Sequence, residues 1–279
     1  MKNSFWLIAV LFSVVLFQSC LKDPVTENPL ETVEPELPPM AMYSMPTTAL
    51  QETETDTTAA LMNGMTYYNW WHAAVNVVVW HSIVSVHMAI PTAAFNMAFN
   101  EPAEYIGNGT FEWTYQYIAT PLQGGQTYNV SLTGQYQNNY QDVLWTMTVS
   151  QVGAFSNFVW YSGLVATDLS EGEFTLNRFP GNPEPYLHIE YDSDPTVGDQ
   201  AIRYTNVIAN SPDYGQYIEY RVRPTDAFNR AFDVQGVPNN FLEIRWNEPS
   251  GDGQVKHPLH FNDNEWHCWD TAQIDIDCE

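Results

Sequence analysis

From Thr110 onward the chain alternates apolar and polar residues with a period of two, which restricts most of it to sheet with one buried face. Phe111, Trp113, Tyr115 and Tyr117 alternate with Glu112, Thr114 and Gln116. Tyr128, Val130, Leu132, Gly134 and Tyr136 alternate with Asn129, Ser131, Thr133 and Gln135, and Val143, Trp145, Met147 and Val149 keep the same interval. Turn-forming clusters separate the runs: Gln123-Gly124-Gly125, Gln137-Asn138-Asn139, Pro180-Gly181-Asn182-Pro183, Asp192–Gly198, Asn210–Gly215, Gly236–Asn240 and Pro249–Gly253. No helical interlude breaks the series, so an antiparallel meander is expected over 110–270. About twelve strands are predicted, and a sheet that long curls, closes or splits. The expected fold is mainly β (α+β), with one large antiparallel meander that is curved or barrel-like. A closed barrel and a β-sandwich are the alternatives.

What such a sheet would pack against lies just upstream. Thr57–Asn100 contains no Asp, Glu, Lys or Arg. It carries Tyr67, Tyr68, Trp70, Trp71, Val75, Val77, Val78, Val79, Trp80, Ile83, Val84, Val86, Met88 and Ile90, then Pro91. Three readings compete. A membrane span is disfavoured by His72, Asn76, His81, Ser82, Ser85 and His87. Two buried strands would suit the valine run. A helix capped near Asp56 or Thr58 and stopping before Pro91 is favoured, with a short second helix over Ala93–Phe99. Apolar on all sides, such a helix must be enclosed by protein. The expectation is a single domain over 58–279, with a buried helical segment at 58–100 around which the sheet wraps. This layout resembles envelope carrier proteins whose half-barrel encloses a helix or a lipid.

The N-terminus carries an address. Lys2 precedes an apolar run from Phe5 to Phe17, too short to span a bilayer and typical of a secretory signal. Leu16-Phe17-Gln18-Ser19-Cys20 resembles the lipobox of bacterial lipoproteins. The resemblance implies a signal peptide at 1–19, covalent lipid such as palmitate on Cys20, and a membrane partner reached through that anchor. Leu21 and Lys22 differ from the inner-membrane retention signal, so a cell envelope location at the outer membrane is expected. Residues 20–57 read as a tether: Pro24, Pro29, Pro35, Pro38, Pro39 and Pro46 interrupt helix, and eight carboxylates face only Lys22. The formal charge of the whole chain is −24, which excludes nucleic acid as a partner through repulsion from phosphates.

Chemistry-bearing residues concentrate at the C-terminus. With Cys20 lipidated, Cys268 and Cys278 remain, and export predicts a disulfide between them that staples the 268–279 tail. A hairpin turning at Asn262–Glu265 would set His260 across from His267, with His257 or Asp263 as a third ligand. His257, His260 and His267 are thus the candidate zinc site, against a reading as packed, hydrogen-bonded rings beside Trp266 and Trp269. His72, His81 and His87 do not share a helix face and read as core histidines. Asp192, Asp194 and Asp199, and separately Asp275 and Asp277, are candidates for calcium, although neither group fits an EF-hand loop. Arg178, Glu190, Arg203, Glu219, Arg221, Glu243 and Arg245 read as ion pairs on a solvent face, or else as the polar lining of a groove.

No catalytic residues are assigned, because the nucleophile elbow, the zincin helix and the phosphate-binding loop are all missing. The expected function is non-catalytic: an envelope lipoprotein that binds a hydrophobic ligand such as a lipid, or an envelope protein, through its β domain. The alternative is a glycan-binding or glycan-processing surface protein. An enclosed apolar cavity favours the first. A polar cleft with exposed aromatics and paired carboxylates favours the second.

Overall fold

The computed structural model describes residues 32–45, 50, 66–120, 125–236 and 240–278. The signal segment and Cys20 lie outside the described residues, and so does the side chain of His87. Glu34–Glu279 forms one compact unit.

Fourteen strands pair in chain order as one open antiparallel sheet. The first seven are β1 (Glu104–Gly107), β2 (Thr110–Ile118), β3 (Thr127–Gln137), β4 (Asp142–Gln151), β5 (Phe155–Ala166), β6 (Glu171–Phe179) and β7 (Asn182–Asp194). Then follow β8 (Asp199–Asn206), β9 (Tyr217–Val222), β10 (Arg230–Gln235), β11 (Phe241–Trp246), β12 (Gly253–Lys256), β13 (His267–Trp269) and β14 (Asp275–Ile276). Each hairpin places its neighbour beside it, so the order in space repeats the order in sequence. Among the described residues the first and last strands do not pair with each other, which sets aside the closed barrel, and the continuity of the single sheet sets aside the two-sheet sandwich.

Pairing register converts the period of two into continuous rows across the sheet. One row runs Phe111, Gly134, Trp145, Gly163, Phe174, Ile189, Tyr204, Ile218, Val234 and Leu242, one residue from each of β2 to β11. Glycines sit beside the rings of Trp145 and Phe174 for a steric reason. A Cβ on Gly134 would lie 2.9 Å from Trp145, and one on Gly163 would lie 2.3 Å from Phe174. Large and small residues therefore alternate along the row from Phe111 to Phe174.

The uncharged segment forms α1 (Tyr68–Ala98). The predicted caps at Asp56 and Thr58 lie outside the described residues, and the helix continues through Pro91 instead of stopping before it. Proline lacks an N–H and crowds the carbonyl four residues back, here that of His87. The helix accommodates this by bending 63° between Tyr68–Ser85 and Met88–Ala98. Among the described residues no single helix is long and apolar enough to cross a membrane. Trp70, Ala73, Ala74, Val77, Val84, Met88, Ala94, Phe95 and Ala98 are buried on one side of α1. Its first turns touch β12, β13 and β14, and it also touches β2 and β3.

Of the stretch read as a tether, the described Met40–Met45 segment packs on the core. Met42, Tyr43 and Met45 are buried, and the Tyr43 ring lies 4.6 Å from both Phe95 of α1 and Phe174 of β6. The backbone carbonyl of Tyr43 accepts a 3.1 Å hydrogen bond from the Tyr204 hydroxyl. Met40-Ala41-Met42-Tyr43 is an apolar island in an acidic, proline-rich stretch, and burying it offsets the cost of ordering its neighbours.

Candidate functional site

The core does not fill the space between α1 and the sheet. Trp80, Ile83 and Val84 of α1 form one wall of a groove of about 730 Å³. Trp160, Tyr186, Leu187, Tyr204, Tyr217, Ile218 and Val234 form its floor from β5 and β7–β10. Parity explains the floor, since Leu187, Tyr204, Ile218 and Val234 all project from the core face. At its end the strands run out, and the lining becomes polar: Asn206, Asp213, Gln216, Gln235 and Arg178. A smaller cavity of about 430 Å³ lies between the Met40–Met45 segment and α1, lined by Met88, Ala89 and Ala93. Val84 and Tyr204 line both spaces.

Arg178 does not belong to the charged face on which the sequence pattern set it. It lines the groove together with Phe179, past the irregularity between Leu176 and Phe179 where β6 departs from regular pairing with β7, and its guanidinium carbon lies 5.8 Å from the Phe179 ring centroid. The other charges do form a ladder on the opposite face. Glu190 pairs in register with Arg203, Arg203 with Glu219, and Glu243 with Lys256. Asp233 lies between Arg221 and Arg245, and Glu219 bridges Arg203 and Arg221. With Glu219 only 7 % and Asp233 6 % exposed, this is a half-buried network and not a row of solvated pairs. A hollow of about 580 Å³ beside it is lined by Asp142, Glu171, Glu173, Glu190, Asp192 and the arginines 203, 221 and 223. Its one aromatic residue, Tyr191, is buried.

The proposed hairpin of histidines is not formed. Pro258 occupies the first position of a short helix, α2 (Pro258–Phe261), because its fixed φ suits a helix start and not a paired strand. His260 then turns away from His267. It stacks on His72 at 3.7 Å between centroids, and its Nε2 lies 2.6 Å from the Tyr68 hydroxyl. His267 stacks on Phe261 and lies 3.1 Å from Asp263. His257, His260 and His267 therefore do not converge. Among the described residues no group of three or more His, Cys, Asp or Glu side chains is arranged to hold a metal ion.

His72 and His257 instead form a relay. His257 Nε2–H donates to Asn240 Oδ1 at 2.8 Å, which leaves Nδ1 to accept from His72 Nε2–H at 2.9 Å. Both rings are neutral in this arrangement. Burial pushes the His72 imidazole down to about 4, reinforced by His260 and His257, and burial likewise lowers His257. His81 sits within 3.2 Å of Ser85 in the following helical turn, as a packed histidine would.

Neither acidic cluster is arranged as a cation cage. Asp194 accepts from the Thr196 backbone and hydroxyl, and Asp199 pairs with Arg223. Asp275 caps α1: its carboxylate accepts from the backbone N–H groups of Tyr68 and Asn69 at 3.1 and 2.9 Å. The Cys268–Cys278 disulfide is formed and closes the loop that carries this cap. Of the aromatic cluster at the helix start, Trp70 is buried, whereas Trp71 is 58 % exposed. No family model matches this chain, and no curated protein or solved structure shows significant similarity to it.

Proposed function

We propose that this protein is a non-catalytic, lipid-anchored envelope protein whose β domain carries a hydrophobic ligand in the groove between α1 and the sheet. The observation that carries the reading is the unfilled 730 Å³ space walled by Trp80, Ile83, Trp160 and Ile218. Its size falls in the range of about 300–1,000 Å³ expected of small-molecule sites, and an apolar wall with polar groups gathered at one end suits an amphiphile. The hollow on the opposite face has carboxylates but lacks the exposed aromatic platform that a sugar ring would need, which weighs against the glycan alternative.

The proposal includes a sheet that curves around α1. Two hydrogen bonds support it. Asn69 near the start of α1 reaches Asp275 of β14, and the Tyr115 hydroxyl of β2 donates to the carbonyl of Ala94 near the end of α1. In a flat sheet β2 and β14 stand about 58 Å apart, at about 4.8 Å per strand interval. The helix between Asn69 and Ala94 covers at most about 38 Å at about 1.5 Å per residue, and less once bent. Two side chains do not span the difference, which supports a sheet whose ends approach each other. Curvature of this kind leaves the groove on the concave side.

Native mass spectrometry of the full chain, isolated from membranes and released gently, tests carriage. The expected result is a co-purified lipid-sized mass that is depleted in a Trp80→Arg variant of native stability. A wild-type chain free of any apolar adduct, and unable to bind long-chain amphiphiles, would refute the proposal. Export and anchoring have their own test: Cys20→Ala should shift the protein out of the membrane fraction.

A further inference from the structure

We infer that the groove selects a single-chain amphiphile with an anionic carboxylate head, and that Arg178 is the residue that recognises that head. This rests on the carriage reading and deepens it. The chain has nine Lys and Arg residues against thirty-three Asp and Glu. Lys2 and Lys22 lie outside the described residues. Of the other seven, Arg203, Arg221, Arg223, Arg230, Arg245 and Lys256 each pair with a carboxylate. Arg178 has no carboxylate partner among the described residues. In a chain so rich in acid, the one described cation left unpaired stands at the polar end of the apolar groove.

The neighbouring groups sharpen the choice of head. Asp213, the one carboxylate lining the groove, is engaged: its Oδ1 accepts from the Gln216 side-chain amide at 2.8 Å. A cationic head would have to compete with that amide. An anionic head meets a free guanidinium, whose planar donor fork matches a carboxylate in two parallel hydrogen bonds. The side chain reaches the groove along Phe179, so its charge stays near water while the apolar tail lies deeper, toward Trp80 and Val84. Volume argues for one tail. A methylene fills about the 30 Å³ of a water in the liquid, so one sixteen-carbon chain needs about 500 Å³ and two need about 1,000 Å³. The groove of about 730 Å³ accommodates one such chain and its head.

The test compares oleate, oleyl alcohol and oleylamine, which share a tail and differ in head charge, with a two-chain anionic lipid, dioleoyl phosphatidylglycerol, as a fourth probe. Each is titrated below its aggregation concentration into the lipid-stripped full chain, read by the fluorescence of Trp80 and Trp160, and repeated with Arg178→Gln. Arg178 is exposed, so the variant should keep the parent's thermal midpoint. Oleate should bind about ten-fold more tightly than the alcohol or the amine, and Arg178→Gln should erase that preference while leaving alcohol affinity unchanged. Equal affinity for the three heads, or an oleate preference that survives Arg178→Gln, would overturn the role of Arg178 and leave carriage standing. Tighter binding of the two-chain lipid would overturn the single-chain assignment. Failure of every probe to bind the folded parent would remove carriage itself.

Discussion

Asp275 shows how one side chain fixes a distant element. Tyr67, at the cap position of α1, makes no side-chain cap bond, and the first turn carries no acidic residue of its own. The exposed N–H groups are taken by a carboxylate 206 positions away, whose backbone N–H also donates to Thr66. Its negative charge meets the positive end of the helix dipole, so capping and electrostatics act together. Asp275→Ala should lower the unfolding free energy by about 1–2 kcal/mol, measured by urea denaturation, and Asp275→Asn should recover part of it. If Ala and Asn are alike, and both match the parent, the cap contributes nothing. Opening the disulfide by Cys268→Ser/Cys278→Ser should weaken the same contact, at a cost of about 2–3 kcal/mol. The two losses should be less than additive, since each loosens the tail that presents Asp275.

At the scale of elements, the strands were readable and their partners less so. Alternation such as Phe111-Glu112-Trp113-Thr114 states which side chains are buried, and it placed the strands between Thr110 and Trp269 as one meander. The position of Arg178 was not legible, because residue type grouped it with the outer ladder and no local signal marks the pairing irregularity between Leu176 and Phe179 that precedes the groove. The start of α1 was hidden because its cap comes from β14, and no local signal records a partner so far along the chain. The burial of Met42 and Tyr43 was masked by the surrounding prolines and carboxylates. The fit of neighbouring strands was not legible either, since it depends on register. Gly163 makes that dependence testable. A Cβ there would lie 2.2 Å from the Glu173 carbonyl oxygen and 2.3 Å from the Phe174 ring. Backbone cannot retreat as a flexible side chain does, so Gly163→Ala should force β5 and β6 apart. A loss of about 2–3 kcal/mol is expected from chemical denaturation. A nearly neutral Gly163→Ala would show that the large-small alternation across the sheet is not tightly packed.

For the whole molecule, stability depends on how the helix is joined to the far end of the sheet, and that joint titrates. His72 of α1, His257 after β12 and His260 of α2 meet there, with Tyr68, Asn76, Asn240 and Phe261 as neighbours and no carboxylate among these contacts. Protonating His257 at Nδ1 would set its new N–H against the N–H of His72, and stacked rings would gain like charge. His72 is lowered from 6.5 to about 4 by burial and by His260 and His257, and His257 is lowered by burial and by His260. The folded state therefore binds fewer protons than the unfolded chain between these limits. Stability should be full above about pH 6.5 and should fall as pH drops toward 4, where the contribution of His72 is exhausted. The carboxyls of Asp168, Asp194 and Asp263 are lowered from 3.8 by hydrogen bonds. Their stabilisation is lost only at lower pH, so the window from pH 6.5 to 5 isolates the histidines. Urea midpoints should decline from pH 7 to pH 5 in the parent, and the decline should flatten in His72→Gln, which keeps a polar side chain without a titrating ring. Hydrogen exchange at pH 5 should increase first at the N-terminal turns of α1, before the central strands β4 to β7 respond. A pH-independent midpoint across that window, or an undiminished decline in His72→Gln, would show that the joint between helix and sheet is held by the buried apolar contacts of Trp70 and Ala73 alone.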